Sequence, residues 1–220
     1  MYKKQKVKKL EHKYFDNERK EMLKYVPMNI KTAIEIGCGE GNFGISVKKL
    51  IPDCEFWGLE YDNIHGNIAK QKLDNVIIGD IQNNLYKLPD NYFNCIIFND
   101  CLEHIADPLV LLKDLKGKLS KNGCIITSIP NVRYITNLIN LLFKKDWHYK
   151  PDGVILDSTH LRFFTKKSIY RMFNEAGYTI EINEYINPMK SIRFFLLNLI
   201  FFGLISDTKY LQIATVARLK

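Results

Sequence analysis

The chain contains 220 residues and carries a formal net charge of +8, from 32 Lys and Arg against 24 Asp and Glu. Hydrophobic residues make up 46% of the sequence and charged residues 25%, which is typical of a folded soluble protein and excludes a disordered or fibrous chain. A chain of this length favours a single domain with one core, spanning residues 1–220.

The N-terminal arm, residues 1–29, is basic and has a helical pattern. Six of its first 13 residues are lysines, which fits a nucleic-acid arm, an anionic membrane contact or a solvated terminus. Apolar residues at Phe15, Met22, Leu23 and Val26 share one helical side, opposite charged residues. We therefore predict an amphipathic helix over residues 7–26 that ends at Pro27.

A glycine-rich turn stands at residues 33–44, which read A-I-E-I-G-C-G-E-G-N-F-G. An apolar strand runs into Gly37, Gly39 and Gly41, and a helix is predicted from Asn42. Glycine lets the backbone take unusual dihedrals and lets a ligand come close. The free amides of the first helical turn favour an electron-rich or anionic ligand group. The turn therefore predicts a binding site for a small molecule.

Two cofactor classes fit this turn. The spacing Gly39-x-Gly41-x-x-Gly44 satisfies the dinucleotide fingerprint, in which a pyrophosphate meets the helix N-terminus. Glu35 opposes that interpretation, because its charge would repel a pyrophosphate but could accept a hydrogen bond from a cationic ligand such as S-adenosylmethionine. Glu60, about 20 residues on, could bind ribose hydroxyls in either class.

Strand-like and helical patterns alternate from residue 31 onward. Apolar runs at 32–36, 54–59, 75–79, 94–99 and 122–129 are separated by helical patterns, which indicates an α/β fold with a parallel sheet and helices on both faces. Four acids, Glu35, Glu60, Asp80 and Asp100, fall at strand carboxyl ends, where open sheets bind ligands. Residues 30–129 therefore form the predicted cofactor-binding core.

The second half of the chain divides into an insertion and a C-terminal unit. Residues 130–165 have no strong core pattern and are predicted to form a substrate-binding lid. Tyr134 and Trp147 in it could stack a sugar or base, or equally anchor the lid to the core. The C-terminal unit, residues 166–220, is predicted to begin with a helix that Thr165 caps and Gly177 ends. Strands are predicted to follow at 178–186 and 210–219.

Residues 192–205 form an aromatic and aliphatic segment with few polar interruptions. Crossing a bilayer takes about 20 residues, so this segment is too short to span one. Three interpretations stay open: packing in the core or over the substrate site, a homodimer contact, and a helix on a membrane surface.

Several segments together resemble the class I S-adenosylmethionine-dependent methyltransferases. They are E-I-G-C-G-E-G, Glu60, Asp80 and D-C-L-E-H-I-A-D-P. Two further segments, G-C-I-I-T-S-I-P-N-V-R-Y and D-S-T-H-L-R-F-F-T, resemble a bacterial branch of small methyltransferases associated with cell-surface polysaccharide or secondary metabolism. The resemblance covers about residues 30–186. It implies a Rossmann-like, seven-stranded, mostly parallel sheet whose last strand inserts antiparallel between the fifth and sixth.

The resemblance also implies S-adenosyl-L-methionine as cofactor and S-adenosyl-L-homocysteine as product. Glu60 is expected at the ribose, and Asp80 with Ile81 at the adenine. The candidate cofactor-binding residues are Glu35, Gly37, Cys38, Gly39, Gly41, Glu60, Tyr61, Asp80, Ile81, Asn99 and Asp100.

Methyl transfer from a sulfonium is a direct displacement that needs positioning more than catalytic side chains. A hydroxyl or amine acceptor must still lose a proton, for which histidine is suited. His160 and His104 are the candidates, although either could be a structural hydrogen-bonding residue. Arg162 could share a side of an extended segment with His160 and bind an anionic substrate, or it could pair with Asp157.

These features favour methylation of a small molecule, a nucleotide-linked sugar or another glycan precursor, on oxygen. A nucleic-acid methyltransferase is the second interpretation, but N-D-C-L-E-H stands where base-modifying enzymes carry N/D-P-P-Y/F. A non-catalytic cofactor-binding partner subunit is the third, and an NAD-dependent oxidoreductase the fourth.

The five cysteines are odd in number and form no C-x-x-C pair. They are expected to be free thiols in a reducing compartment, which predicts a cytoplasmic location. Because no Cys/His cluster has ligand spacing along the chain, we predict no metal site.

Overall fold

Seven strands form one sheet in the structure, a computed structural model that describes residues 18–151 and 154–220. The strands are β1 Thr32–Ile36, β2 Glu55–Glu60, β3 Asn75–Ile78, β4 Phe93–Asn99, β5 Leu119–Pro130, β6 Tyr178–Pro188 and β7 Tyr210–Leu219. Their order in the sheet is β3-β2-β1-β4-β5-β7-β6. Strands β1 to β5 pair in parallel, and β7 is antiparallel to both β5 and β6. The predicted Rossmann-like fold, with its inserted antiparallel last strand, is confirmed.

Helices connect the strands. The α-helices are α1 Asn42–Leu50, α2 Asn63–Ala69, α3 Ile81–Asn84, α4 Pro108–Asp114, α5 Ile135–Phe143, α6 Lys166–Glu175 and α7 Ile192–Ile200. Short 3₁₀ helices lie at Lys20–Tyr25, Leu85–Lys87, Leu102–His104, Leu115–Lys118 and Ser206–Lys209. Thr165 caps α6 as predicted, and Ser168 completes a reciprocal capping box.

The core has two apolar clusters, because successive residues of a strand point to opposite faces of the sheet. Ile34 and Ile96 belong to one cluster with α4 and α6 residues, whereas Ala33 and Ile97 belong to the other with α1 residues. Both faces of the central strands are therefore buried. The polar side chains that could bind a ligand therefore lie at the ends of the strands.

Tyr178 joins β6 to helix α4 in this core. Its side chain is fully buried, and its hydroxyl donates to the Leu112 carbonyl at 2.7 Å. Because Tyr178→Phe leaves that carbonyl without this donor, we expect a loss of about 1 kcal/mol in the free energy of unfolding. Urea denaturation would measure it, with the exposed Tyr170→Phe as control. Equal stability of both variants would contradict the expectation.

The N-terminal arm differs from the prediction. Part of the predicted 7–26 helix lies outside the described residues. The described part contains a 3₁₀ helix at Lys20–Tyr25, which begins after Arg19 in the left-handed conformation. Met22 and Val26 are buried as predicted, with exposures of 0% and 5%. An α-helix running unbroken to residue 26 is therefore wrong, because the backbone turns at Arg19.

The segment 192–205 is a helix followed by turns, and it is not packed in the core. Phe194 is its buried apolar residue, whereas eight others are more than 45% exposed: Ile192, Phe195, Leu196, Leu199, Ile200, Phe201, Phe202 and Leu204. Of the first interpretation, packing in the core is therefore wrong, and packing over the substrate site stays a prediction. None of the helices in residues 18–151 and 154–220 combines the length and apolar composition that a bilayer crossing requires.

Candidate functional site

The glycine turn joins β1 to α1 at the carboxyl edge of the sheet. The amides of Gly37 and Cys38 donate to the Leu59 carbonyl of β2 at 2.8 and 3.1 Å. Gly37, Gly39 and Gly41 have φ values of 75°, 53° and 79°, in the left-handed region that glycine adopts without steric cost. These three glycines are therefore required by the backbone itself.

Gly44 has a different role from the turn glycines. It lies inside α1, and a Cβ atom there would come within 2.6 Å of both the Leu73 and Phe56 side chains. The fourth glycine thus lets the helix pack closely on β2. Because this packing is needed whichever cofactor binds, the fingerprint spacing does not identify a dinucleotide.

Glu35 and Asn99 form a buried pair at the ends of β1 and β4. Glu35 is 3% exposed, and Asn99 Nδ2 donates to its Oε1 at 2.7 Å. Burial raises the pKa of Glu35 to about 8, against the hydrogen bond from Asn99 and the charge of Arg19, which both lower it.

Two acceptor atoms of this pair are left over. Glu35 Oε2 and Asn99 Oδ1 are buried and have no hydrogen-bond partner in the described part of the chain. A buried acceptor without a donor is costly. The ammonium group of S-adenosylmethionine carries N–H donors and a positive charge, so it fits these atoms, whereas a pyrophosphate has nothing to donate.

Glu60 ends β2 and is 6% exposed. Its Oε2 accepts from the Gly39 amide at 2.7 Å, and its Oε1 accepts from the Asp62 amide at 2.9 Å. The carboxylate therefore holds the glycine turn against β2. Each oxygen keeps a second lone pair with which a ribose hydroxyl could bond.

The predicted adenine residues surround the start of α3. Asp80 Oδ1 caps that helix by accepting from the Gln82 amide at 2.8 Å, and Ile81 is 3% exposed. Tyr61 lies at the surface with 77% exposure, and Cys38 is buried at 6%. Burial raises the pKa of the Cys38 thiol, so this cysteine stays protonated and acts as an apolar contact.

Asp100 is the centre of a polar network that sequence reasoning missed. Its carboxylate accepts from the Arg19 guanidinium, from Ser128 Oγ at 3.1 Å and from Gln212 Nε2 at 2.5 Å. Arg19 is 8% exposed, although the helical pattern places it among solvent-facing charges. Gln212 could have been singled out from the sequence, since it is a polar residue among apolar neighbours at the start of β7.

The two candidate histidines meet across a long sequence separation. Their ring centroids are 4.8 Å apart, with the planes at 79°. His160 is 8% exposed, and its Nε2 lies 3.9 Å from Oε1 of the fully buried Glu103. The amides of Leu161 and Arg162 donate to the Glu103 carbonyl at 2.9 and 3.0 Å. These backbone hydrogen bonds therefore hold the D-S-T-H segment beside the D-C-L-E-H segment.

The side chains of this cluster are electrostatically unusual. Burial, together with the nearby Asp100 charge, holds the pKa of Glu103 well above its ordinary range. Burial and the adjacent His160 ring lower the pKa of His104. A neutral imidazole at His104 is therefore favoured near pH 7, which leaves a lone pair for a proton or a cation.

The predicted lid region, residues 130–165, contains α5 and an aromatic contact. The Trp147 ring meets the Phe163 ring edge-on at 5.3 Å, and Tyr134 is the residue that precedes α5. The Arg162 guanidinium is exposed and donates to the carbonyls of Ala106 and Leu161. Pairing of Arg162 with Asp157 is not what the structure shows, because Asp157 accepts from Thr159 instead.

Comparison with known proteins agrees with this geometry. The family described as a methyltransferase domain matches residues 5–182. The methyltransferase-named protein 235L of Invertebrate iridescent virus 6 is 28% identical over 159 residues, which are 70% of this chain and 54% of that protein. The chain thus spans about half the length of this relative.

Solved structures share the fold. A SAM-dependent methyltransferase from Archaeoglobus fulgidus superposes with a TM-score of 0.64 at 21% identity, covering 90% of each chain. The plantazolicin methyltransferase BpumL, solved in complex with SAH, has a TM-score of 0.65 at 18% identity, covering 99% of this chain and 91% of that one. At such identities the likeness establishes the fold.

Proposed function

The chain belongs to the methyltransferase domain family, and we propose that it transfers a methyl group from S-adenosylmethionine to a hydroxyl oxygen of a small molecule or glycan precursor. The proposal includes membership of the bacterial small-molecule branch and one catalytic domain over residues 1–220. The cytoplasmic location stays a prediction. It is supported by the five cysteines, which are all free thiols.

The observation that carries the cofactor assignment is the pair of buried, donor-free acceptors at Glu35 and Asn99. We propose that the methionine ammonium lies between them, with Glu60 at the ribose and Asp80 and Ile81 at the adenine. The bound cofactor supplies an activated methyl group. The chain orients it and excludes water, which suffices for most of the acceleration of a displacement.

We assign removal of the proton from the acceptor hydroxyl to the two histidines. The Nδ1 of His160 lies 2.9 Å from the Ile155 carbonyl and so carries its hydrogen toward that oxygen. The opposite nitrogen, Nε2, then has a free lone pair that can take the hydroxyl proton. His104 is the second candidate for this role, and we assign Arg162, Tyr134 and Trp147 to acceptor binding.

Calorimetric titration tests the cofactor assignment. We expect S-adenosylmethionine and S-adenosylhomocysteine to bind one molecule per chain, and NAD⁺ not to compete. A protein that binds NAD⁺ and neither sulfonium nor thioether nucleoside would overturn the proposal. Transfer of radiolabelled methyl groups to hydroxylated sugars, nucleotide sugars and aromatic alcohols would then identify the acceptor.

Two rivals predict other results. Methylation of RNA, with affinity that falls steeply with salt, would favour a nucleic-acid acceptor. Cofactor binding without turnover until a second protein is added would favour a partner subunit.

The exposed apolar segment 192–205 supports a contact surface. Lys190 precedes this segment and Arg193 lies within it. Basic residues beside exposed apolar ones suit an anionic membrane surface, and a homodimer contact would cover the same residues. Cosedimentation with anionic vesicles and sedimentation velocity without them separate these two partners.

A further inference from the structure

We propose that Glu103, His104 and His160 bind one divalent transition-metal ion. One donor atom from each side chain lies within 4.8 Å of the donors of the other two. The sequence prediction of no metal site considered spacing along the chain, and His160 reaches the other two only through the fold.

The Glu103 carboxyl group points to a missing cation. Its side chain is 1% exposed, and neither carboxyl oxygen has a hydrogen-bond partner in the described part of the chain. A buried charge without a partner is strongly unfavourable. A bound cation would stabilise the ionised form of this carboxyl group and bond to one of its oxygens.

The histidine hydrogen bonds prepare two nitrogen ligands. Nδ1 of His160 lies 2.9 Å from the Ile155 carbonyl, and Nδ1 of His104 lies 3.2 Å from the Thr159 carbonyl. Each carbonyl can only accept, so each Nδ1 carries the hydrogen and each Nε2 keeps its lone pair. Metal-binding histidines are characteristically held in this way by a backbone carbonyl behind the ring.

The donor set selects the class of ion. Two imidazoles and one carboxylate suit Zn²⁺, Mn²⁺, Fe²⁺ or Co²⁺, whereas Mg²⁺ and Ca²⁺ prefer oxygen ligands. Bonds of about 2.1 Å in a tetrahedral site place donors roughly 3.4 Å apart, so the side chains must close by somewhat over 1 Å. The negative charge of Asp100 and the positive charge of Arg19 act on Glu103 in opposite directions. Glu103 is therefore the anion that balances the charge of the ion.

Three protein ligands leave a coordination position open. His104 is less buried than its two partners, so solvent or an acceptor can reach the ion from its side. A coordinated hydroxyl would lose its proton to water, and its oxygen would bond to the methyl carbon as the carbon–sulfur bond breaks. This role rests on the proposed function, but ion binding does not.

Cobalt substitution tests ion binding directly. Protein treated with a chelator and dialysed is titrated with Co²⁺ and, separately, with Zn²⁺. We expect one ion per chain, a visible Co²⁺ absorption band, and its loss on adding Zn²⁺. In Glu103→Gln and His104→Gln, affinity should fall by at least about 100-fold, whereas the exposed His148→Gln should bind as the parent does.

The controls keep this result separate from the methyl-transfer proposal. Ion-free Glu103→Gln should unfold at the same temperature as the parent or higher, because it loses a buried ionisable group. No band in the parent, or equal Co²⁺ affinity in Glu103→Gln, would overturn the metal site even if S-adenosylmethionine binds. Should Glu103→Gln not fold, His104→Gln, at a partly buried position, decides by the same band.

Discussion

Glu35→Gln is expected to weaken S-adenosylmethionine binding about 100-fold or more. The substitution keeps the shape of the side chain but removes the negative charge that the buried ammonium needs, and breaking a buried ion pair costs about 3–5 kcal/mol. Calorimetric titration would measure the loss. Glu181→Gln, at a surface ion pair with Arg218, is the matched control and should leave affinity unchanged.

The pH dependence of Glu35 follows from the sign of its shift. Without cofactor its pKa is about 8, whereas the ordinary pKa of a glutamate is 4.5. Between these two pH values the folded protein therefore holds a proton that the unfolded chain has released. Stability of the cofactor-free protein therefore falls as pH rises from about 4.5 to about 8. Glu35→Gln should remove this slope and be the more stable protein at pH 8.

Cofactor binding should release that proton. Since the ammonium favours the carboxylate, we expect affinity to rise toward pH 8 and about one proton to enter the buffer per cofactor bound near pH 7. Titrations in buffers of different ionisation enthalpy count this proton. Release that persists in Glu35→Gln would assign the linkage to another group.

His160→Gln is expected to lower kcat by about 10²–10⁴-fold, the usual contribution of a positioned acid or base, with little change in cofactor affinity. Glutamine can still donate to the Ile155 carbonyl, so the loop that carries residue 160 should hold its position. The measurement is steady-state transfer to whichever acceptor the parent enzyme methylates. His148→Gln is the control, and a parent-like kcat in His160→Gln would remove His160 from the chemistry.

The pH profile and a chelator separate the two roles of His160. A direct base gives a rising limb in kcat that chelation does not change. An ion-coordinated hydroxyl gives activity that a chelator abolishes and Zn²⁺ or Mn²⁺ restores.

Local pattern was sufficient to predict the strands and the glycine turn, whereas the antiparallel insertion of the last strand was implied by the family resemblance. Strands β1 and β7 begin and end where the sequence predicts, and β2 and β4 differ by one residue. Side-chain alternation and helical periodicity are properties of neighbouring residues, so the sequence carries them directly. Glu35 and Glu60 follow from the same logic, because a residue at a parallel strand's carboxyl end must lie at the common edge.

What the sequence alone determined is therefore the α/β fold, the turn and the acids at its edge. Only the tertiary structure decided that Arg19 and Gln212 meet at Asp100, that Glu103, His104 and His160 form one cluster, and that residues 192–205 are exposed. These contacts depend on which distant segments pair. Local periodicity depends only on neighbouring residues, so it does not identify a partner many residues away. A charged residue such as Arg19 in a helical pattern is predicted to face solvent, because the pattern does not show that a second segment covers it.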